Sequence, residues 1–339
     1  MNDFQTPNQD PGAERRLLLT FALTFVVIFI TQQFISRYYK PPAPPQRQEQ
    51  TQRPAEPTAP PVAQESTAPF PSAKVASTTT AKQAEKEAPA VIENDLYRIT
   101  FSNRGGLAKS WVLKKYKNDQ GQPLELVHPI AGPQHGYPLS LFTYDESLRK
   151  KLNEALYVAT EDQSGENRTL TFQYSDGDIS VNKKFTFSHS YEVRVETSVT
   201  QRGAYVTAFP AWPAGFGDET EASSYAAARI DVERTDKVER IALKKVSGGA
   251  TINGPFHWAG AVDQYFAAVF LPDDPDHVTA VTLHNEIRIP KNPEKRDPND
   301  VEPVPVLGIA VGTPGSPTSQ RIFVGPKAVD IISDIRSYG

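Results

Sequence analysis

Three textures follow one another along the chain. Leu17 to Ile35 (LLLTFALTFVVIFITQQFI) is free of charge, residues 41–90 hold almost no large apolar side chain, and from Val91 apolar and polar positions alternate. Nineteen residues at helical rise cover about the ~30 Å hydrocarbon core of a bilayer, so the first segment predicts one transmembrane helix. Arg15 and Arg16 precede it, Arg37 and Lys40 follow it, and Tyr38 and Tyr39 stand where interfacial aromatics sit. A cleaved signal peptide would have a shorter apolar core and a small-residue cleavage site, which Ser36-Arg37-Tyr38-Tyr39-Lys40 does not offer. The reading is an uncleaved signal anchor over 17–36 behind a tail of residues 1–16. The flanking charges nearly balance and leave its orientation open.

The second segment, counted as a linker over 37–90, contains eleven prolines between residues 41 and 90, among Ala, Thr, Gln and Glu. It cannot bury enough apolar area to offset the entropy of ordering, so disorder is expected, stiffened by proline towards an extended spacer. Pro41 to Pro45 could also dock a proline-recognising partner.

The third segment, 91–339, predicts antiparallel strands with one face on a core and one in water. Leu96 to Phe101, Arg168 to Tyr174 and Tyr191 to Thr197 alternate, as do Ile179 to Val181 and Phe185 to Phe187. Turns are marked at Arg104-Gly105-Gly106, Asp176-Gly177-Asp178, Gly248-Gly249 and Asn253-Gly254-Pro255. Without helical crossovers between strands, the expected fold is mainly β: one large antiparallel β-sandwich. Pro290 to Pro305 reads as a polar loop before a strand from Val306 to Val311. Gln264 to Leu271 reads as a buried strand. Gly325-Pro326-Lys327 reads as a helix start, followed by an apolar stripe of Ala328, Ile331, Ile332 and Ile335: a short C-terminal amphipathic helix.

Composition narrows the function. A net charge of −4 offers no basic footprint for nucleic acid, and the absence of cysteine excludes disulfides, thiolate metal sites and cysteine nucleophiles. None of the six histidines stands at a metal-ligand spacing; Asp273-Asp274-Pro275-Asp276-His277 looks metal-like but reads better as a solvated turn. No nucleophile elbow, P-loop or dinucleotide fingerprint occurs. Glu219 and Glu221 could serve glycoside hydrolysis only if the fold set them across a cleft. Trp111, Trp212 and Trp258 could stack on sugars, though large aromatics in a sandwich are more often core. No catalytic residue, cofactor site or metal site is assigned.

One combination is more informative. Leu96 to Phe101 leading to Arg104-Gly105-Gly106, Trp258 with Gln264-Tyr265-Phe266, and Val324-Gly325-Pro326-Lys327, in that order behind an anchor and tether, resemble the N-terminal part of the YidC membrane protein insertase family. The resemblance implies an anchor running from a cytoplasmic N-terminus into the periplasm, and a first periplasmic domain of the β-supersandwich type. It also implies partners: the Sec translocon (SecYEG and SecDF) and nascent inner-membrane proteins, beside the bilayer met by residues 17–35. The family's later membrane helices have no counterpart up to Gly339, so insertion by this chain alone is not expected. On the residues themselves, the motif positions Arg104, Gly105, Gly106, Trp258, Gln264, Tyr265, Phe266, Gly325, Pro326 and Lys327 read as scaffold. Two rivals stay open: a periplasmic carbohydrate-binding or mutarotase-like protein, using His257, His277 or His284 with a carboxylate, and an envelope-spanning adaptor.

Overall fold

The computed structural model describes residues 81–327, apart from 236 and 293–298. The anchor, nearly all of the tether and the helix expected after Lys327 lie outside the described residues. Among those described, no helix is long and apolar enough to cross a membrane.

The chain opens with the strands β1 (Pro89–Glu93), β2 (Tyr97–Ser102), β3 (Leu107–Lys117) and β4 (Pro123–Glu125). A short helix α1 (Ala131–His135), a two-residue strand β5 (Leu141–Phe142) and helix α2 (Glu146–Glu154) follow. Next come β6 (Val158–Ser164), β7 (Asn167–Ser175), β8 (Ile179–Phe187), β9 (Glu192–Gln201), β10 (Ala204–Tyr205) and β11 (Phe209–Trp212). Then follow β12 (Arg229–Arg234), β13 (Lys237–Ala242), β14 (Thr251–Asn253), β15 (Trp258–Val262) and β16 (Phe266–Pro272). The last described strands are β17 (Thr279–Pro290), β18 (Val301–Gly312) and β19 (Thr318–Pro326).

The strands form three antiparallel sheets: β1-β2-β3-β4; a ten-stranded sheet ordered β13-β12-β15-β16-β19-β9-β8-β7-β6, with β10 on β9; and β14-β17-β18-β11-β5. All three contribute to one core, in which Trp111 meets Trp212 edge-on at 6.0 Å and Phe101 stacks on Phe185 at 5.4 Å. Each such aromatic stabilises the fold by about 1.5–3 kcal/mol through burial alone. The mainly-β sandwich expected from the alternation is the fold observed. β8 shows why: its burial alternates at every residue, and Ile179, Val181, Phe185 and Phe187 point inward.

Several local expectations are corrected. Residues assigned to the tether already belong to the domain, since Lys82 pairs its backbone with Ser175 and β1 starts at Pro89. The loop expected over 290–305 is much shorter, because β17 runs to Pro290 and β18 resumes opposite it at Val301. Two helices were not foreseen; α2 starts where Asp145 caps the Leu148 N–H, and it buries only Leu152, so its sequence carries little apolar rhythm. Finally, Gly325 and Pro326 close β19 rather than open a helix, pairing with Ala267 and Phe266.

Candidate functional site

Motifs far apart in sequence converge on one corner of the ten-stranded sheet. β15 reverses into β16 through Asp263-Gln264-Tyr265, and the Asp263 carboxylate ties the turn by accepting the Tyr265 and Phe266 N–H groups, both at 2.6 Å. β19 then lies along β16, which brings Lys327 to the same turn. Its N–H donates to the Tyr265 carbonyl at 2.8 Å and its ammonium to the Asp263 carbonyl at 2.5 Å. Phe266 is buried, but Gln264 and Tyr265 are not the buried strand residues expected. They sit in the turn, bonded to each other at 2.9 Å, with Tyr265 60% exposed.

Behind the turn lies a set of acids, Asp263 and Glu219 buried and Asp218 half-buried. The Asp218 and Asp263 carboxyls are near neighbours and interact electrostatically, and one oxygen of each is buried without a hydrogen-bond partner among the described residues. Burial, then the neighbouring carboxylate, pushes Asp218 up to about 8, and burial also raises Asp263. The pair therefore favours holding one proton, with Asp218 the more strongly raised; the backbone N–H groups satisfy only Oδ1 of Asp263. Glu219 beside them is 4% exposed and is raised well above the usual range by burial, although one oxygen accepts the Phe216 N–H at 2.9 Å. Its carbonyl accepts the Tyr225 hydroxyl at 2.7 Å, and Tyr225 meets His128 Nε2 at 2.7 Å. His128 Nδ1 accepts two backbone N–H groups, and burial holds the ring down to about 4, so it is neutral at physiological pH.

The outward face of the same corner is indented. Period two sends Trp258 and Val262 of β15, Ala267 and Val269 of β16, and Phe323 of β19 away from the main core into a small apolar cluster. Gly260 lies between Trp258 and Val262, opposite Asp231 and Val269; a Cβ there would come within 2.6 Å of the Ala268 carbonyl. Beside this cluster lies a dent of about 130 Å³. Arg229, Arg240 and Lys327 stand around it, with the buried Asp231 bonded to Arg229 at 2.8 Å. Burial and the nearby Arg229 lower the Lys327 ammonium. Trp258 is thus a half-exposed wall of the dent, whereas Trp111 and Trp212 are core.

Arg104-Gly105-Gly106 is elsewhere, in the turn between β2 and β3. Both glycines have positive φ, +75° and +54°, as a tight turn requires. Arg104 bonds Glu87 at 2.8 Å and the Glu154 carbonyl at 3.0 Å. The Gly105 carbonyl accepts an N–H of Lys183 Nζ, a fully buried amine at an inward position of β8 that also donates to the Leu139 carbonyl at 2.6 Å. Burial pulls this lysine down to about 7. Nearby, a larger cleft of about 620 Å³ runs past α1 and α2, lined by Arg104, Lys109, Tyr137, Phe142, Arg149 and Lys150 among others.

The remaining sequence candidates are dispersed. Glu219 is buried while Glu221 is exposed, so they do not face one cleft. His257 pairs with Glu233 at 2.8 Å, His277 with Asp274 at 2.9 Å on an exposed turn, and His284 with the Val246 carbonyl at 2.8 Å. Arg194 engages Asp273, and among the described residues no group of three His, Asp or Glu side chains is arranged to hold a metal ion. Sequence reasoning missed Asp218, Asp263 and Lys183; the one available signal was Lys183, a charge at an inward position of a clean alternation.

The family model of the YidC periplasmic domain matches residues 90–338. The membrane protein insertase YidC of Syntrophus aciditrophicus is 23% identical over 94% of this chain and 60% of its own length. That of Pelobacter propionicus is 25% identical over 94% of this chain and 57% of its own. The chain thus spans somewhat over half the length of these relatives. Among solved structures, a galactose mutarotase-like protein from Lactobacillus casei aligns over 70% of this chain and 100% of its own, at 13% identity and a TM-score of 0.43. Galactose 1-epimerase from Lactobacillus acidophilus aligns over 73% and 98%, at 8% identity and 0.41. Scores this low carry no likeness of function. The match over residues 90–338 places the chain in the YidC periplasmic-domain family.

Proposed function

We propose that this chain is the anchor and first periplasmic domain of a YidC-type insertase in the bacterial inner membrane. It aids insertion and folding of inner-membrane proteins by contact with the translocon, SecYEG and SecDF, and with nascent chains, and performs no chemistry of its own. In this reading residues 1–16 are cytoplasmic, 17–36 span the bilayer once, and the tether carries the domain into the periplasm. The observation that carries it is the family match over 90–338, supported by the meeting of Trp258, Gln264-Tyr265-Phe266 and Gly325-Pro326-Lys327 at one corner. A domain that acts by docking needs a rigid, exposed presentation, and this corner fits that need: Tyr265 projects from a turn tied by Asp263 and Lys327.

A photo-crosslinking residue at position 265, in the full-length protein in intact cells, tests the reading. Adducts to SecDF, SecY or nascent membrane proteins are expected. Their absence there and at a series of other exposed positions, with normal protein levels, would remove the proposal.

A further inference from the structure

We infer that the dent beside Trp258 is a binding site for an acidic peptide segment, with one apolar side chain on its floor and an adjacent carboxylate among Arg240, Lys327 and Arg229. The floor and wall are Val262, Ala267, Val269, Phe323 and the half-exposed indole, groups that favour an apolar occupant. Size narrows the choice. A cavity of about 150 Å³ accepts a benzene ring, so the observed 130 Å³ suits one leucine- or phenylalanine-sized group and is far too small for a lipid acyl chain.

Charge narrows it further. Asp231 and Asp263 both draw on the three cations, which leaves a local excess of positive charge carried by the exposed Arg240. Arg240 is exposed, with no ion pair or hydrogen bond among the described residues apart from its strand pairing. Burial first, then Arg229 and Arg240, disfavour the charged form of Lys327, only partly offset by Asp263 and Asp231; an incoming carboxylate would favour it. Segments that cross to the outer side of a membrane are poor in Lys and Arg, so such a site would accept them and repel segments that stay inside. Naming nascent membrane proteins as the source of the peptide rests on the proposed function; the binding itself does not.

The probe is a capped synthetic peptide in which Glu alternates with Leu or Phe, titrated into the full chain in detergent. Trp111 and Trp212 are 0% and 1% exposed, so a change in the solvent-accessible emission reports Trp258. Saturable binding that weakens with salt is expected, with a loss of about tenfold or more in Arg240→Glu, whose fold is verified by circular dichroism. The same peptide with Lys for Glu should not bind. Equal affinity for the Lys peptide, or unchanged affinity in Arg240→Glu, overturns the site. So does binding to phosphatidylglycerol vesicles but not to the peptide. Binding that appears only after deletion of residues 328–339, or self-association abolished by Arg240→Glu, assigns the dent to this chain's own segment or to a second copy, and overturns it too. Peptide binding without the crosslinks described above leaves the site and removes the insertase role; crosslinks without peptide binding do the reverse.

Discussion

Replacing Asp218 with asparagine tests the proton held in the buried corner. Asp218 lies beside Asp263 and is raised to about 8 by burial and by that neighbour. A carboxyl with a raised native pKa binds its proton more tightly folded than unfolded, so its effect is to lower stability as pH climbs from about 4 towards 8. At ~1.4 kcal/mol per unit, and allowing for partial solvent screening, Asp218 alone removes about 1–3 kcal/mol between pH 6 and 9. In a domain of this size that is about 3–10 °C in Tm. Asparagine has no titrating proton and so abolishes this loss.

Other buried groups tilt the wild-type profile as well. Lys183, held down to about 7, and His128, held down to about 4, are each more easily deprotonated in the fold, so each adds stability as pH rises, through about 7–10.5 and about 4–6.5. Glu219, raised, acts in the same direction as Asp218. These groups are common to both proteins, so the informative quantity is the difference in Tm, followed by circular dichroism from pH 6 to 9. D218N should be the more stable, by a margin that widens with pH. A constant margin, or a less stable D218N at pH 9, refutes the shared proton.

Gly105→Ala should cost about 2–4 kcal/mol in urea unfolding, because its φ is +75° and the new Cβ would lie 2.4 Å from the Asn153 carbonyl oxygen. Lys183→Met should gain on the wild type as pH falls from 10 to 7, since the wild-type fold resists protonation of that amine over this window; parallel urea midpoints at the two pH values check it. Trp258→Phe should abolish the acrylamide-quenchable part of the tryptophan emission while leaving the buried part, as only Trp258 of the three is partly exposed.

Strands β7, β8 and β9 were legible because each buries one face and leaves the other partly open to water, an asymmetry written into every second residue. The Gly105-Gly106 turn was legible for a similar reason: positive φ leaves a chemical trace in the residue type. What stayed hidden depends on contacts across long separations. Asp218 and Asp263 look like loop acids until the fold brings them together, forty-five positions apart (263 − 218). Gly325-Pro326 followed helix-start chemistry in sequence, yet the ladder with β16 extends to Pro326, and proline is tolerated at the end of a strand. The dent was invisible for a further reason. It is assembled from outward residues of five strands that only the sheet order brings together.

β19 lies in the middle of the ten-stranded sheet, between β16 and β9. Until residues 318–326 have left the ribosome, the sheet is two unjoined pieces, β13-β12-β15-β16 on one side and β9-β8-β7-β6 on the other, each with a long open edge. Synthesis runs at about 5–20 residues per second, so at least several seconds separate the emergence of β9 from that of its central neighbour. The half-built domain is therefore an open template for mispairing during that interval. Any delay, chaperone or translocation pause that acts before residue 318 meets two unpaired central edges; afterwards β19 has filled the gap between them.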